Sequence, residues 1–111
     1  MKKFAFIFRL NGASPAVPTA EQLAERLTWL SDLIDNQTVV DRGNTLTSTP
    51  ARRIDAEGGI EEDVCDDYSF FISGYLVIQA QNIDQAVTIA LSNPIYKVGG
   101  TIEVREVVQR P

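Results

Sequence analysis

The chain has 111 residues, 44% of them hydrophobic and 23% charged, which suits one globular domain with a core that needs no disulfide or metal to hold it. Ten basic against fifteen acidic residues leave a net charge of −5, a field of the wrong sign for nucleic-acid phosphates or anionic lipid surfaces. No apolar run approaches the roughly twenty residues of a membrane-spanning helix.

The opening "KKFAFIFRL" alternates strictly: Phe4, Phe6, Phe8 and Leu10 fall on one side, Lys3, Ala5, Ile7 and Arg9 on the other. That is a strand pattern built from aromatic and β-branched residues. The apolar run is too short for a signal peptide and is interrupted by Arg9. "NGASPAVP" supplies a breaker cluster. In "PTAEQ", Thr19 can cap a helix and Gln22, three residues on, can reach back to it. Leu23, Leu27, Leu30 and Ile34 follow at helical spacing and predict the core-facing stripe. Trp29 and Leu33, with Arg26, lie on a second apolar edge, which predicts a cover for it beyond the main sheet, from a chain insertion or another subunit.

"TVVDRGNTL" predicts a short strand ending in a turn at Gly43 and Asn44. "ARRID" and "GIEEDVC", joined by "AEGG", predict a hairpin. In "SGYLVIQAQNIDQAVTIALSNP", Tyr75, Val77 and Gln79 alternate with Leu76, Ile78 and Ala80. Asn82 and Gln85 then start a helix whose face is Ile83, Ala86, Val87, Ala90 and Leu91, and Asn93–Pro94 stops it. "TIEVREVV" is the last strand, with Ile102 and Val104 opposed to Glu103 and Arg105.

This order predicts an α+β fold: a ferredoxin-like antiparallel sheet with two helices on one face and an inserted β-hairpin at about residues 50–66, all within one domain, 1–111. Phe4, Phe6, Phe8, Leu76, Ile78, Ile102 and Val104 can supply the helix-covered face. The other face would carry Ala5, Ile7, Arg9, Tyr75, Val77, Gln79, Thr101, Glu103 and Arg105. It is too apolar to leave in water and too polar for a dry core. Pairing two such faces predicts a homodimer.

The chain contains no histidine and one cysteine. That removes His-based metal sites, Ser-His and Cys-His nucleophilic systems, and any thiolate cluster. A single cysteine also suits a reducing compartment, so a cytoplasmic location is expected. Cys65 lies among Asp63, Asp66 and Asp67, whose charge would disfavour its thiolate, so it reads as an ordinary hairpin residue. Asp55, Glu57, Glu61 and Glu62 extend this acidic run, which lacks calcium-loop spacing and reads as a solvated, charge-guarded edge. The glycines form no phosphate-binding spacing, and Arg52–Arg53 is too small a patch for nucleic acid. No catalytic residue, metal or cofactor is expected. The one constellation that stands out is Arg9, Tyr75, Gln79, Glu103 and Arg105. Either its arginines bind a carboxylate or another small anion by forked hydrogen bonds, or Glu103 and Arg105 simply neutralise Arg9 and partner charges.

Taken together, "FAFIFRLNG", "LIDNQTVVDRGNTL", "ISGYLVIQAQNIDQAVTIALSNP" and "VGGTIEVREV" resemble the YCII-related family, also called DGPF-domain proteins, over nearly the whole length. The resemblance implies a dimeric α+β barrel. It departs from the family at two places. Where one branch has Asp-Gly-Pro-Phe, this chain reads "CDDYSFFISGY", keeping only Asp67 and Phe70 as echoes. Where another branch is suspected to pair an Asp on the first strand with a His on the first helix, the matching positions fall near Asn11 and Arg26. A His–Asp mechanism therefore does not transfer.

The functional expectation is a homodimeric small-molecule-binding or accessory domain with an internal pocket between two sheets, taking a small anionic molecule. Two rivals stand beside it. One is a His-independent isomerase, lyase or oxygenase using Asp41, Glu103 or Tyr75. The other is a regulatory protein-interaction module with Trp29 and the hairpin as its contact surface.

Overall fold

Strict alternation produces the first strand, β1 (Lys2–Asn11), in a computed structural model that describes residues 1–11, 19–48, 50–62 and 70–110. There follow α1 (Ala20–Asp35), β2 (Val39–Thr45), β3 (Arg52–Ile54), β4 (Ile60–Glu62), β5 (Phe70–Ala80), α2 (Ile83–Leu91), a 3₁₀ turn (Pro94–Val98) and β6 (Thr101–Glu106). The main sheet runs β2-β5-β1-β6 with every neighbouring pair antiparallel. With two helices packed on it, this is an α+β fold of the ferredoxin-like kind. β3 and β4 pair separately, Arg52 opposite Glu62 and Ile54 opposite Ile60. The Asp55 carboxylate closes their turn by accepting from the Glu57 and Gly59 amides, at 2.9 and 2.7 Å. Among the described residues, no helix is long and apolar enough to cross a membrane.

The parity of the strands follows the sequence. Phe4, Phe6, Leu76, Ile78 and Ala80 are buried together with Ala86 and Ala90 of α2, and Phe8, Ile102 and Val104 pack against them. Cross-strand neighbours explain the cluster: Phe6 lies opposite Leu76 on β5 and Val104 on β6. Each fully buried side chain of this size contributes about 2 kcal/mol.

Both helix starts are local. Thr19 and Gln22 form a reciprocal capping box: the Gln22 amide donates to Thr19 Oγ1 at 3.1 Å, and the Thr19 amide donates to Gln22 Oε1 at 2.9 Å. Asn82 Oδ1 accepts from the Gln85 amide at 2.8 Å. Gln85 answers one residue earlier than expected, accepting from the Gln81 amide. Asn93 ends the second helix region by capping the 3₁₀ turn that begins at Pro94.

The helix faces differ from the sequence expectation. On α1, Trp29 and Leu30 pack on the core, and Trp29 meets Phe8 edge to face with ring centroids 6.4 Å apart. The Trp29 indole also donates to Ser92 Oγ at 2.9 Å, joining the two helix regions. Of the expected core stripe only Leu30 packs there; Leu23, Leu27 and Ile34 are exposed, Leu27 to 66%. On α2, Ala86 and Ala90 are buried while Ile83, Val87 and Leu91 are exposed. Residue-by-residue rotation of roughly 100° puts Arg26, Trp29, Leu30 and Leu33 on one face of α1. Trp29 and Leu30, one from each expected stripe, are the members of that face that pack on the core. Trp29, on the edge expected to need an extra cover, is thus met by Phe8 of the sheet itself. On α2 the reason is steric: two alanines let the helix axis approach the strands closely, and the larger residues beside them are pushed to the flank.

A stability consequence follows. Leu27→Gln is expected to stay within about 0.5 kcal/mol of the parent chain, whereas Trp29→Ala loses ring packing and a hydrogen bond and costs about 2 kcal/mol. Urea unfolding of the two variants checks this, and the reverse order would restore the leucine stripe to the core.

Candidate functional site

The face of the sheet away from the helices has an apolar centre and a polar margin. Ala5 lies opposite Val77, and Ile7 opposite Tyr75, so four adjacent positions on β1 and β5 form one apolar block. On the β6 side the block is bordered by Arg105 opposite Ala5 and Glu103 opposite Ile7, with Thr101 opposite Arg9. On the β2 side Asp41 lies opposite Val77 and Asn44 opposite Tyr75.

The five residues singled out from the sequence all reach this face, but they do not converge on one point. Arg105 Nε donates to Glu103 in a short hydrogen bond, and Arg9 Nε lies 3.9 Å from the other carboxylate oxygen, Oε1. Two guanidiniums thus share one carboxylate. Tyr75 Oη accepts from Asn44 Nδ2 at 2.9 Å on the β2 side, and Gln79 Nε2 donates to the Gln37 carbonyl at 2.8 Å. Gln37 holds a left-handed conformation, φ 59°, at the end of α1, so Gln79 braces a helix terminus.

The hydrogen bond from Arg105 and then its charge hold the Glu103 carboxyl below the ordinary carboxylate value, with Arg9 adding to the effect against desolvation. The same bond raises Arg105. Glu103 is therefore fully ionised at neutral pH, the wrong direction for a carboxylic acid that must donate a proton there. Asp41, another candidate acid–base group, is occupied: its Oδ1 accepts from the Gly43 amide at 2.7 Å. Cys65, Asp63, Asp66 and Asp67, and the Asp67 echo of the family motif, lie outside the described residues, as do the side chains of Asn11 and Phe70. Among the described residues no three metal-ligating side chains gather.

A second concavity was not legible beforehand. Gly43 and Asn44 were expected to turn the chain, yet β2 runs through them to Thr45. The register against β5 shifts between Val39 and Asp41 and again between Asp41 and Asn44, so Arg42 and Gly43 bulge from the ladder. A further shift between Phe8 and Arg9 leaves Ser73 unmatched on β5, its hydroxyl donating to the Phe8 carbonyl at 3.3 Å. Where these bulges meet α1, a cleft of about 520 Å³ opens. Phe8, Trp29, Leu30 and Ile95 supply apolar walls, and Arg26 and Arg42 line it. Bulges are the ordinary device for opening a sheet beside a site. The sequence signals were an arginine on the Trp29 edge of α1 and the "DRGN" step in a β-branched strand, neither specific alone. Compared with known proteins, the chain matches no family model, and no curated protein matches it significantly.

Proposed function

We propose that the protein is a homodimeric small-molecule-binding domain whose two copies close their open sheet faces on one another, as the YCII-related resemblance implies for a dimeric barrel. One observation carries the reading: the face has an apolar block, Ala5, Ile7, Tyr75 and Val77, bordered by charged and amide residues on both sides. Apolar centre and polar rim are the anatomy of a protein interface.

Surface area supports it. The single chain exposes 7851 Å², against about 6,100 Å² for a monomeric protein of 12.3 kDa. Part of the excess belongs to the β3–β4 pair, whose strand residues are all exposed. A standard interface buries only about 800 Å² per partner, well within the surplus. The flat outline, 43 × 41 × 19 Å, is that of one sheet with one helical layer, a sandwich lacking its second half. Arg9 and Arg105 both face Glu103, and the forked guanidinium of Arg105, the more exposed of the two, suits a small anion between the sheets. Arg9, Tyr75, Gln79, Glu103 and Arg105 are its proposed contacts, and a reducing, cytoplasmic compartment its setting.

Sedimentation at micromolar concentration tests the dimer. The parent chain is expected at twice the chain mass. Ile7→Asp, which buries an uncompensated charge in each copy, should weaken association roughly hundredfold or more while keeping its far-UV dichroism. Val77→Asp on the neighbouring strand is the second probe. A parent chain that sediments as a monomer at tens of micromolar would end the proposal. For the ligand, thermal shifts with small unbranched aliphatic carboxylates, which lack the body to fill an aromatic-walled site, should vanish in Arg105→Ala, and shifts that persist would remove Arg105 as the anchor.

A further inference from the structure

We infer that the cleft between α1 and the β2 bulge is a separate binding site, within a single chain, for a small aromatic or branched carboxylate. Its charge pattern is the first ground. The chain as a whole is acidic, yet among the described residues the cleft is lined by Arg26 and Arg42 and by no Asp or Glu. Among the described residues neither arginine has an ion-pair or hydrogen-bond partner, in contrast to the pairing of Arg9, Arg52, Arg53 and Arg105. Arginine presents a planar fork of donors that matches a carboxylate, and such pairs are among the stronger hydrogen bonds in water-poor sites.

The walls are the second ground. Phe8 and Trp29 present an edge-to-face aromatic pair, with Leu30 and Ile95 beside it, a surface that accepts a ring or a branched aliphatic body. The volume, about 520 Å³, falls in the range of roughly 300–1,000 Å³ usual for small-molecule sites. The third ground is construction. The bulge that lifts Arg42 out of the β2–β5 ladder exists only because Gly43 adopts φ 63° against the Tyr75 carbonyl. A local backbone device thus sets one arginine on the cleft, and α1 brings the other. An apolar body with one carboxylate satisfies both halves of this lining. A neutral ligand would leave two cations unanswered, and a small inorganic anion would leave the aromatic wall wet.

Trp29 is the only tryptophan in the chain, so its fluorescence reports occupancy of this cleft directly. Titration of the intact protein with benzoate at fixed ionic strength is expected to give a saturable change in that emission. Benzamide, of the same shape without the charge, is expected to bind roughly tenfold weaker or less. Arg26→Gln and Arg42→Gln should each weaken benzoate about tenfold, with folding checked by far-UV dichroism. Binding should survive in Ile7→Asp, because the cleft belongs to one chain. That last result separates this site from the proposed pocket between sheets, whose failure would leave the cleft intact. Equal affinity for benzoate and benzamide, or no saturable signal at millimolar ligand, overturns the inference. So does benzoate binding unchanged in the double variant.

Discussion

Gly43→Ala is expected to lower the stability of the chain by roughly 2–5 kcal/mol, read as a fall in the urea unfolding midpoint with an unchanged slope. Two costs combine. Gly43 sits at φ 63°, where a side chain costs about 1–2 kcal/mol. A Cβ there would lie 1.6 Å from the Tyr75 carbonyl oxygen, 2.5 Å from its carbon and 3.0 Å from Leu76 Cα. These are backbone atoms of β5, hydrogen-bonded on both sides between β2 and β1, so they cannot step aside as a flexible side chain would. Overpacking of this kind costs about 1–3 kcal/mol, relieved only by lifting β2 away. Gly58→Ala is the internal control. It has φ 87° but nothing within 4 Å of the added carbon, so it should show only the conformational cost, about 1 kcal/mol. Equal effects at the two glycines would mean that the close approach of β2 to β5 is not present in solution.

Phe6→Ala is expected to cost about 3–5 kcal/mol. Phe6 is 0% exposed and stands in the middle of the core, between Leu76 and Val104 on its flanking strands. Few side chains share its burden: among the described residues the fully buried large ones are Phe4, Phe6 and Ile78. A chain of this length has of the order of 10 kcal/mol to lose, so the loss is a large fraction of the whole. The neighbouring residue sharpens the test. Ile7 points to the opposite face, so Ile7→Ala should cost less in unfolding and act mainly on association. A Phe6→Ala variant that unfolds at the parent midpoint would move the core to the other face of the sheet.

The two sets of residues that share a strand face were readable because the period of a strand is two, and β1 places three phenylalanines on one side and arginine and lysine on the other; which set meets the helices the structure decides. A shift by one residue would bury Arg9 and expose Phe4, Phe6 and Phe8, a penalty too large to be overridden. Helix rotation was not readable in the same way. On α1 Leu23, Leu27 and Ile34 and the Trp29–Leu33 edge are two apolar stripes, separated by roughly 120° at 100° per residue, with Leu30 between them. Nothing in their spacing says which meets the sheet. What selects Trp29 is its fit to Phe8 and to Ser92, one on a distant strand and the other beyond the second helix. On α2 the closely packed alanines outcompete larger residues, which a hydrophobicity count ranks the other way.

The candidate sites divide along the same line. That Arg9, Tyr75, Gln79, Glu103 and Arg105 share a sheet face was legible from alternation. Their separation was not: Glu103 draws the two arginines toward β6, while Tyr75 and Gln79 turn to Asn44 and the end of α1. The cleft was invisible because bulges break the period that makes strands legible in the first place.

The sequence by itself determined the α+β element order, the helix caps and which residues share a face of each central strand. These depend on residues a few positions apart and on the sign of large burial energies. The tertiary structure alone decided which flank of each helix is buried, which arginines are neutralised and where the sheet opens. Those outcomes depend on contacts between residues dozens of positions apart, such as Trp29 with Phe8 and Ser92, which no local pattern encodes.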